Sequence, residues 1–202
     1  MRQRFAAALT ALVAFTAVMA VPGTACACSC VALRPSQQVE RAAVVFTGTV
    51  VALRQGRRST TEPPPPIVYA FRVDQVYKGR DRIRKEQDRI RRGEDRRVHG
   101  RWAGARIEVA SNENGAACGY SFAVGSRHLV FASDARGGLI GKDPGVALST
   151  SLCLGNRRVR PGDGPLRGRD GIHAGEPLSE ELLAALGTAR SPSEIRARER
   201  RT

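Results

Sequence analysis

Residues 67–77 read IVYAFRVDQVY, and their alternation decides the fold class. Ile67, Tyr69, Phe71, Val73, Gln75 and Tyr77 fall on one side of an extended chain; Val68, Ala70, Arg72, Asp74 and Val76 fall on the other. A period of two with an apolar odd face predicts a half-buried strand. Upstream, residues 43–53 read AVVFTGTVVAL, rich in β-branched side chains, which predicts a second strand. Gly48 inside that run predicts a bulge or sharp bend. Downstream, strands are expected at 105–110, at 127–133 (RHLVFAS) and, short, at Leu139-Ile140, with turns at 112–115 and at Gly137-Gly138. About five strands joined by turns predict a mainly β chain, a small five-stranded Greek-key barrel flanked by short helices. Periodicity alone leaves a β-sandwich open.

The start of the chain has another character. Arg2 and Arg4 precede an apolar run over 6–21, then Pro22, Gly23 and small residues. That order predicts a secretory signal peptide over 1–27, since the run is shorter than the roughly 20 residues of a membrane span. Cleavage after Gly23-Thr24-Ala25 would leave Cys26 first. Cleavage after Ala25-Cys26-Ala27, the Ala-x-Ala form, would leave Cys28 first. Lipid attachment at Cys26 is disfavoured by the lack of a branched apolar residue three positions before it. The chain has five cysteines. A start at Cys28 leaves an even set, Cys28, Cys30, Cys118 and Cys153, which in an exported protein predicts two disulfides. Three pairings exist, and a Cys28–Cys30 bond, closing a very tight ring, is the least favoured. Each long-range bond would remove on the order of 3–5 kcal/mol of unfolded-state entropy. A zinc site is disfavoured because no Cys-x-x-Cys pair occurs.

The formal charge is +14, or +12 once Arg2 and Arg4 leave with the signal. Aromatic residues are only 5% of the chain, so the core is modest and covalent staples are useful. Residues 78–101 read KGRDRIRKEQDRIRRGEDRRVHGR. Acidic residues interleave with the basic ones and no stacking aromatic is present, which predicts a solvated loop or short exposed helix rather than a nucleic-acid platform. Four prolines, 63–66, predict a polyproline-like loop. A short helix is expected from Pro35, with Ser36 as its cap. Residues 155–176, rich in Gly, Arg, Pro and Asp, have the composition of a linker. Ser179 is expected to cap a helix over 179–186 with a Leu182, Leu183, Leu186 stripe, and Ser193 a last basic helix. No second apolar run is long enough to span a membrane.

Five short segments, in order, resemble one known family. Cys28-Ser29-Cys30-Val31 is similar to the start of the mature tissue inhibitors of metalloproteinases. Val76-Tyr77-Lys78-Gly79, Cys118-Gly119-Tyr120, Leu129-Val130-Phe131 and Ser149-Thr150-Ser151-Leu152-Cys153 resemble successive segments of the netrin-like module of those inhibitors. The resemblance covers residues 28–153. It implies an oligonucleotide/oligosaccharide-binding-type (OB-fold-like) barrel over 28–155, with the disulfides Cys28–Cys118 and Cys30–Cys153. The chain departs from the family in three ways: a third cysteine pair is missing, residues 80–101 look like a charged insertion, and residues 156–202, a basic linker and helical tail, replace a cysteine-rich subdomain.

The resemblance also implies a chemistry. The free α-amine and carbonyl oxygen of Cys28 would chelate the catalytic zinc of a partner protease, closing a five-membered ring. An α-amine with a pKa near 7.7–8.0 is partly neutral at physiological pH and able to coordinate, and a catalytic zinc keeps an exchangeable position. Ser29 would sit at the mouth of the protease's specificity pocket; Cys30, Val31, Ala116 and Ala117 would contact the protease around it. The other reading is an extracellular interaction module that binds a protein or an anionic polymer without inhibition. The residues do not read as an enzyme. His99, His128 and His173 have no metal-ligand spacing, no Gly-x-Ser-x-Gly elbow occurs, and no cofactor is implied. His128 is expected as a packed or half-exposed strand residue. Intact-mass analysis of the exported product should give a terminus at Cys28 and no alkylatable thiol before reduction; a start at Cys26 would leave an odd cysteine.

Overall fold

The computed structural model describes residues 28–56, 65–91, 106–113, 115, 118–135, 145–172 and 177–192. Six strands are present among them: β1 (Val44–Gln55), β2 (Ile67–Lys78), β3 (Arg106–Ser111), β4 (Arg127–Asp134), β5 (Leu148–Ser149) and β6 (Arg157–Val159). Three short helices accompany them: α1 (Pro35–Arg41), α2 (Arg80–Arg91) and α3 (Glu180–Leu186). The strand order is β1-β2-β3-β5-β4-β6, and β1 also pairs with β4. That last pairing joins the first strand to the fourth and closes a five-stranded OB-fold-like barrel, with β6 added to the edge of β4. A sandwich is thereby excluded. The β3–β5 contact is parallel, through Ala110 and Ser149, while the other ladders are antiparallel.

Every expected strand that falls on described residues is found within a residue or two of its expected bounds. Leu139-Ile140, the expected signal segment with Cys26, and the expected last basic helix lie outside the described residues. The odd face of β2 holds only in part. Tyr69, Phe71 and Val73 enter the barrel interior, yet so does Val76, while Tyr77 packs on the other side. The cause is a register shift against β1: Thr47 faces Gln75 and Gly48 faces Val73, leaving Asp74 as an extra residue. One extra residue inverts every side chain beyond it. Gly48 stands at this shift, and a Cβ there would lie 2.7 Å from the Arg72 carbonyl oxygen.

The barrel has two apolar layers. Inside are Val44, Phe46, Val50, Phe71, Ile107, Val109, Val130 and Leu148, all buried, with Phe46 and Phe71 packed edge to face at 5.4 Å. Outside, Val45, Leu129 and Phe131 point away from the interior and are covered by Val159, Leu166, Leu178, Leu182 and Leu186. This second layer corrects the compositional expectation of a linker after residue 155. Glycine and proline mark turns there, but single apolar residues between the turns are buried. Leu166 N–H donates to the Tyr77 hydroxyl at 2.9 Å, and Leu178 N–H donates to the Gly168 carbonyl at 2.7 Å. The α3 helix follows expectation, with the Ser179 hydroxyl accepting from Leu182 N–H and with Leu182 and Leu186 buried.

Beneath the 160–164 loop lies a buried ion pair. The Arg127 Nε donates to Asp74 at 3.1 Å, and its Nη2 donates to the Gly164 carbonyl at 2.7 Å and the Thr47 hydroxyl at 3.3 Å. Gln75 Nε2 adds a bond to the Asp163 carbonyl at 2.7 Å. Burial pushes the Asp74 carboxyl up, and the Arg127 guanidinium pulls against it.

Two helix expectations need correction. The cap position of α1 is Arg34, with Pro35 opening the helix, because Pro pre-sets the first helical φ; Ser36 is already inside. The charged stretch is not wholly solvated. Over Arg80–Arg91 it forms α2, which buries Ile83 in the barrel interior and holds the buried Glu86 carboxylate against Arg89 at 2.6 Å. The turn into α2 is made by Gly79 at φ +77, where a Cβ would collide with the Ala43 carbonyl. Lys78 donates to the Val39 and Glu40 carbonyls at 2.8 and 2.7 Å, satisfying the C-terminal end of α1.

The outer layer yields a stability prediction. Leu182→Ala should cost about 2–4 kcal/mol in urea unfolding, as a buried core truncation does; a change within about 0.5 kcal/mol is what an appended tail would give.

Candidate protease-contact site at the amino-terminal clamp

Cys28 bonds to Cys118 and Cys30 to Cys153, with Cα separations of 5.3 and 5.1 Å. These are the pairings that the family resemblance implies. The loops they close span 90 and 123 residues. The two bonds are neighbours, since Cys28 Sγ lies 3.9 Å from Cys153 Sγ. The segment 28–34 is thus bolted to two separate places on the barrel, one after β3 and one after β5.

Those two places are themselves tied together. The Cys118 carbonyl accepts from Leu152 N–H at 2.9 Å. Cys118 has φ +58, a left-handed conformation that costs a non-glycine residue about 1 kcal/mol; its N–H donates to the Gly115 carbonyl at 3.0 Å, closing the turn. The next arm is fixed by Ser111, whose hydroxyl accepts from Tyr120 N–H at 2.8 Å. The 150–153 arm is fixed by Asn156. Its buried side chain accepts from Phe131 N–H at 2.9 Å and donates to the Thr150 hydroxyl and the Ser151 carbonyl at 2.8 and 2.9 Å. Thr150 in turn donates to the Phe131 carbonyl at 2.6 Å. Sequence reasoning missed Ser111 and Asn156. Each sits among small polar residues, and only burial reveals that its hydrogen bonds are structural.

On this rigid support Ser29, Cys30 and Val31 are exposed, and Val31 keeps 78% of its surface accessible. Leu152, next to Cys153, is 48% exposed. The Cys30–Cys153 bond is therefore flanked along the chain by two outward-facing apolar side chains. Ala116 and Ala117 lie outside the described residues, as do His99 and His173. The sulfur atoms of Cys28, Cys30 and Cys153 lie within 4.8 Å of one another. All three are in disulfides and offer no thiolate, so in this form they do not make a metal centre. The metal-binding atoms available at Cys28 are its backbone nitrogen and carbonyl oxygen. Its nitrogen becomes a donor only as a free amine, after cleavage between Ala27 and Cys28.

His128 is packed, as expected. It is 3% exposed and lies edge to face with Phe122 at 4.9 Å and Tyr120 at 6.1 Å. Ser126 donates its hydroxyl proton to the Ala123 carbonyl. It therefore accepts from His128 Nε2–H, 2.7 Å away, leaving Nδ1 buried without a partner. Among the described residues no carboxylate is hydrogen-bonded to the ring. Burial first, and the Arg158 charge second, push the imidazole down to about 4.

The sign of the resulting pH dependence is definite. The folded state holds His128 neutral, while the unfolded chain takes up this proton near 6.5. Its contribution is complete above about pH 6.5 and is lost as pH falls toward about 4. From pH 7 to pH 5 the wild type should lose about 2 kcal/mol more stability than His128→Phe, read from urea midpoints. Parallel losses would show that another group titrates.

No known protein family matches this chain, and no curated protein matches it.

Proposed function

We propose that the chain is exported, that its mature form begins at Cys28, and that it inhibits zinc metalloproteases in the manner of the tissue inhibitors of metalloproteinases. The observation that carries this reading is the amino-terminal clamp. A short peptide is exposed at Ser29, Cys30 and Val31, yet two disulfides and the Cys118–Leu152 hydrogen bond hold it against a closed barrel. A ligand segment already held in one conformation loses little entropy on binding, and affinity gained this way needs no large interface. With Ala27 removed, the Cys28 amine and carbonyl would displace the zinc-bound water of the protease. Ser29 would enter its specificity pocket, and Val31 with Leu152 would cover the apolar rim.

Export suits the same reading. Long-range disulfides persist in oxidising compartments, and no helix among the described residues is long and apolar enough to cross a membrane.

The test compares two purified forms, one starting at Cys28 and one retaining Ala27, against a panel of zinc proteases with a fluorogenic peptide. The first should inhibit and the second should be weaker by at least about a hundredfold, because an amide nitrogen is a poor zinc donor. Inhibition by the first form should strengthen between pH 6.5 and 8.5 as the α-amine loses its proton. Equal inhibition by both forms would remove chelation, and no inhibition across the panel would remove the inhibitor reading.

A further inference from the structure

A second surface, independent of the amino-terminal clamp, comes from the segment that composition reads as a linker. Residues 157–172 contain Arg157, Arg158, Arg160, Arg167 and Arg169 against two acids, Asp163 and Asp170, and no lysine. They fold as a ribbon. Arg157–Val159 pairs with β4, Val159 faces Gly171 antiparallel, and Arg160 N–H donates to the Asp170 carbonyl at 2.8 Å. The backbone under the arginines is fixed from below, where Arg127 Nη1 donates to the Arg160 carbonyl at 3.3 Å.

Arg158, Arg160, Arg167 and Arg169 are exposed, and none of the five arginines forms an ion pair among the described residues. The contrast with other arginines is sharp. Arg54, Arg72, Arg82, Arg84, Arg89 and Arg127 all have carboxylate partners. Neither acid of the ribbon pairs with one of these guanidinium groups. Asp163 faces Arg72, and the Asp170 carboxylate accepts from the Arg167 backbone N–H at 2.7 Å. The charge reaches the buried His128, whose imidazole is pushed down by burial first and by Arg158 second. Like charges held together on a rigid ribbon repel, and an external anion relieves that repulsion.

We propose that the ribbon 157–172 is a docking face for a linear anionic polysaccharide, with Arg158, Arg160 and Arg169 as its principal contacts. Arginine favours planar sulfate or carboxylate groups through paired N–H donors. Alternate residues on a strand stand about 7 Å apart, so Arg158 and Arg160 meet successive charges along an extended chain. A single-stranded nucleic acid is disfavoured because the ribbon has no aromatic residue on which a base could stack. A membrane surface is disfavoured because Ile172, 38% exposed, is the only large apolar side chain the ribbon presents.

The test uses the full exported chain and three probes: immobilised heparin, single-stranded DNA, and vesicles of phosphatidylserine in phosphatidylcholine. Wild type should bind heparin most tightly, with affinity falling steeply as salt rises. R158A/R160A/R169A should lose about tenfold or more in affinity at physiological salt and show a shallower salt dependence. R80A/R84A/K85A, which removes the same charge from α2, should lose no more than about twofold. Lysine at the three ribbon positions keeps the charge and the backbone, and should recover part of the binding. Equal weakening by the two alanine triples would mean net charge alone, and tighter binding to vesicles or DNA would name the wrong partner; either result overturns the proposal. Protease inhibition by R158A/R160A/R169A is a separate readout and should be unchanged, so failure of one proposal does not mask the other.

Discussion

The architecture depends on β1 having a neighbour on each edge. Residues 44–49 pair with β4 along one side, while the strand pairs with β2 along the other. A strand paired on both sides leaves no exposed ladder, and closing the sheet on itself creates an inside and an outside. Once the inside is filled by Phe46, Phe71, Ile107 and Val130, the alternate residues Val45, Leu129 and Phe131 are left as an apolar patch on the outside. That patch accounts for the C-terminal segment. Leu166 from a turn-rich stretch and Leu178, Leu182 and Leu186 at four-residue spacing converge on that one face, which needs cover.

The amino-terminal segment uses the same barrel as a support. None of its residues is buried, and two long-range disulfides do what burial would do in a larger protein. The clamp has a polar understructure. Ser111 holds the arm carrying Cys118, and Asn156 holds the arm carrying Cys153. The covalent bonds thus end on segments that are themselves held by hydrogen bonds. The arginine ribbon shares this economy. Its backbone is anchored through β4 and Arg127, so its exposed guanidinium groups stand on a fixed frame.

Much of the fold was legible from local pattern. The strands at 43–53, 67–77, 105–110 and 127–133 declare themselves through β-branched content and period two, and the Ser179 helix through its cap and leucine stripe. The legible parts are those in which neighbouring residues carry the signal. Asp74 shows the limit. As a lone acid in an alternating strand it reads as a solvent-facing residue, whereas it is the extra residue of a bulge, turned against Arg127 beneath a loop. The Tyr77-Lys78-Gly79 run shows it again. Its three residues bond to Leu166, cap α1 and turn the chain into α2, and each partner is distant or conformational.

The sequence by itself determined the mainly β class, the Gly48 irregularity, the α3 cap and, through cysteine parity, the expectation of two disulfides. These follow from residue type and spacing over a few positions. Tertiary structure alone decided that the sheet closes between β1 and β4, that a glycine- and proline-rich stretch is the lid of a second apolar layer, and that Ile83 anchors an otherwise charged helix. It also decided that five arginines of one ribbon have no carboxylate partner among the described residues. The first three are relations between residues far apart in the chain. Such relations are set by which faces are left uncovered once the barrel is closed, a quantity that no local pattern contains.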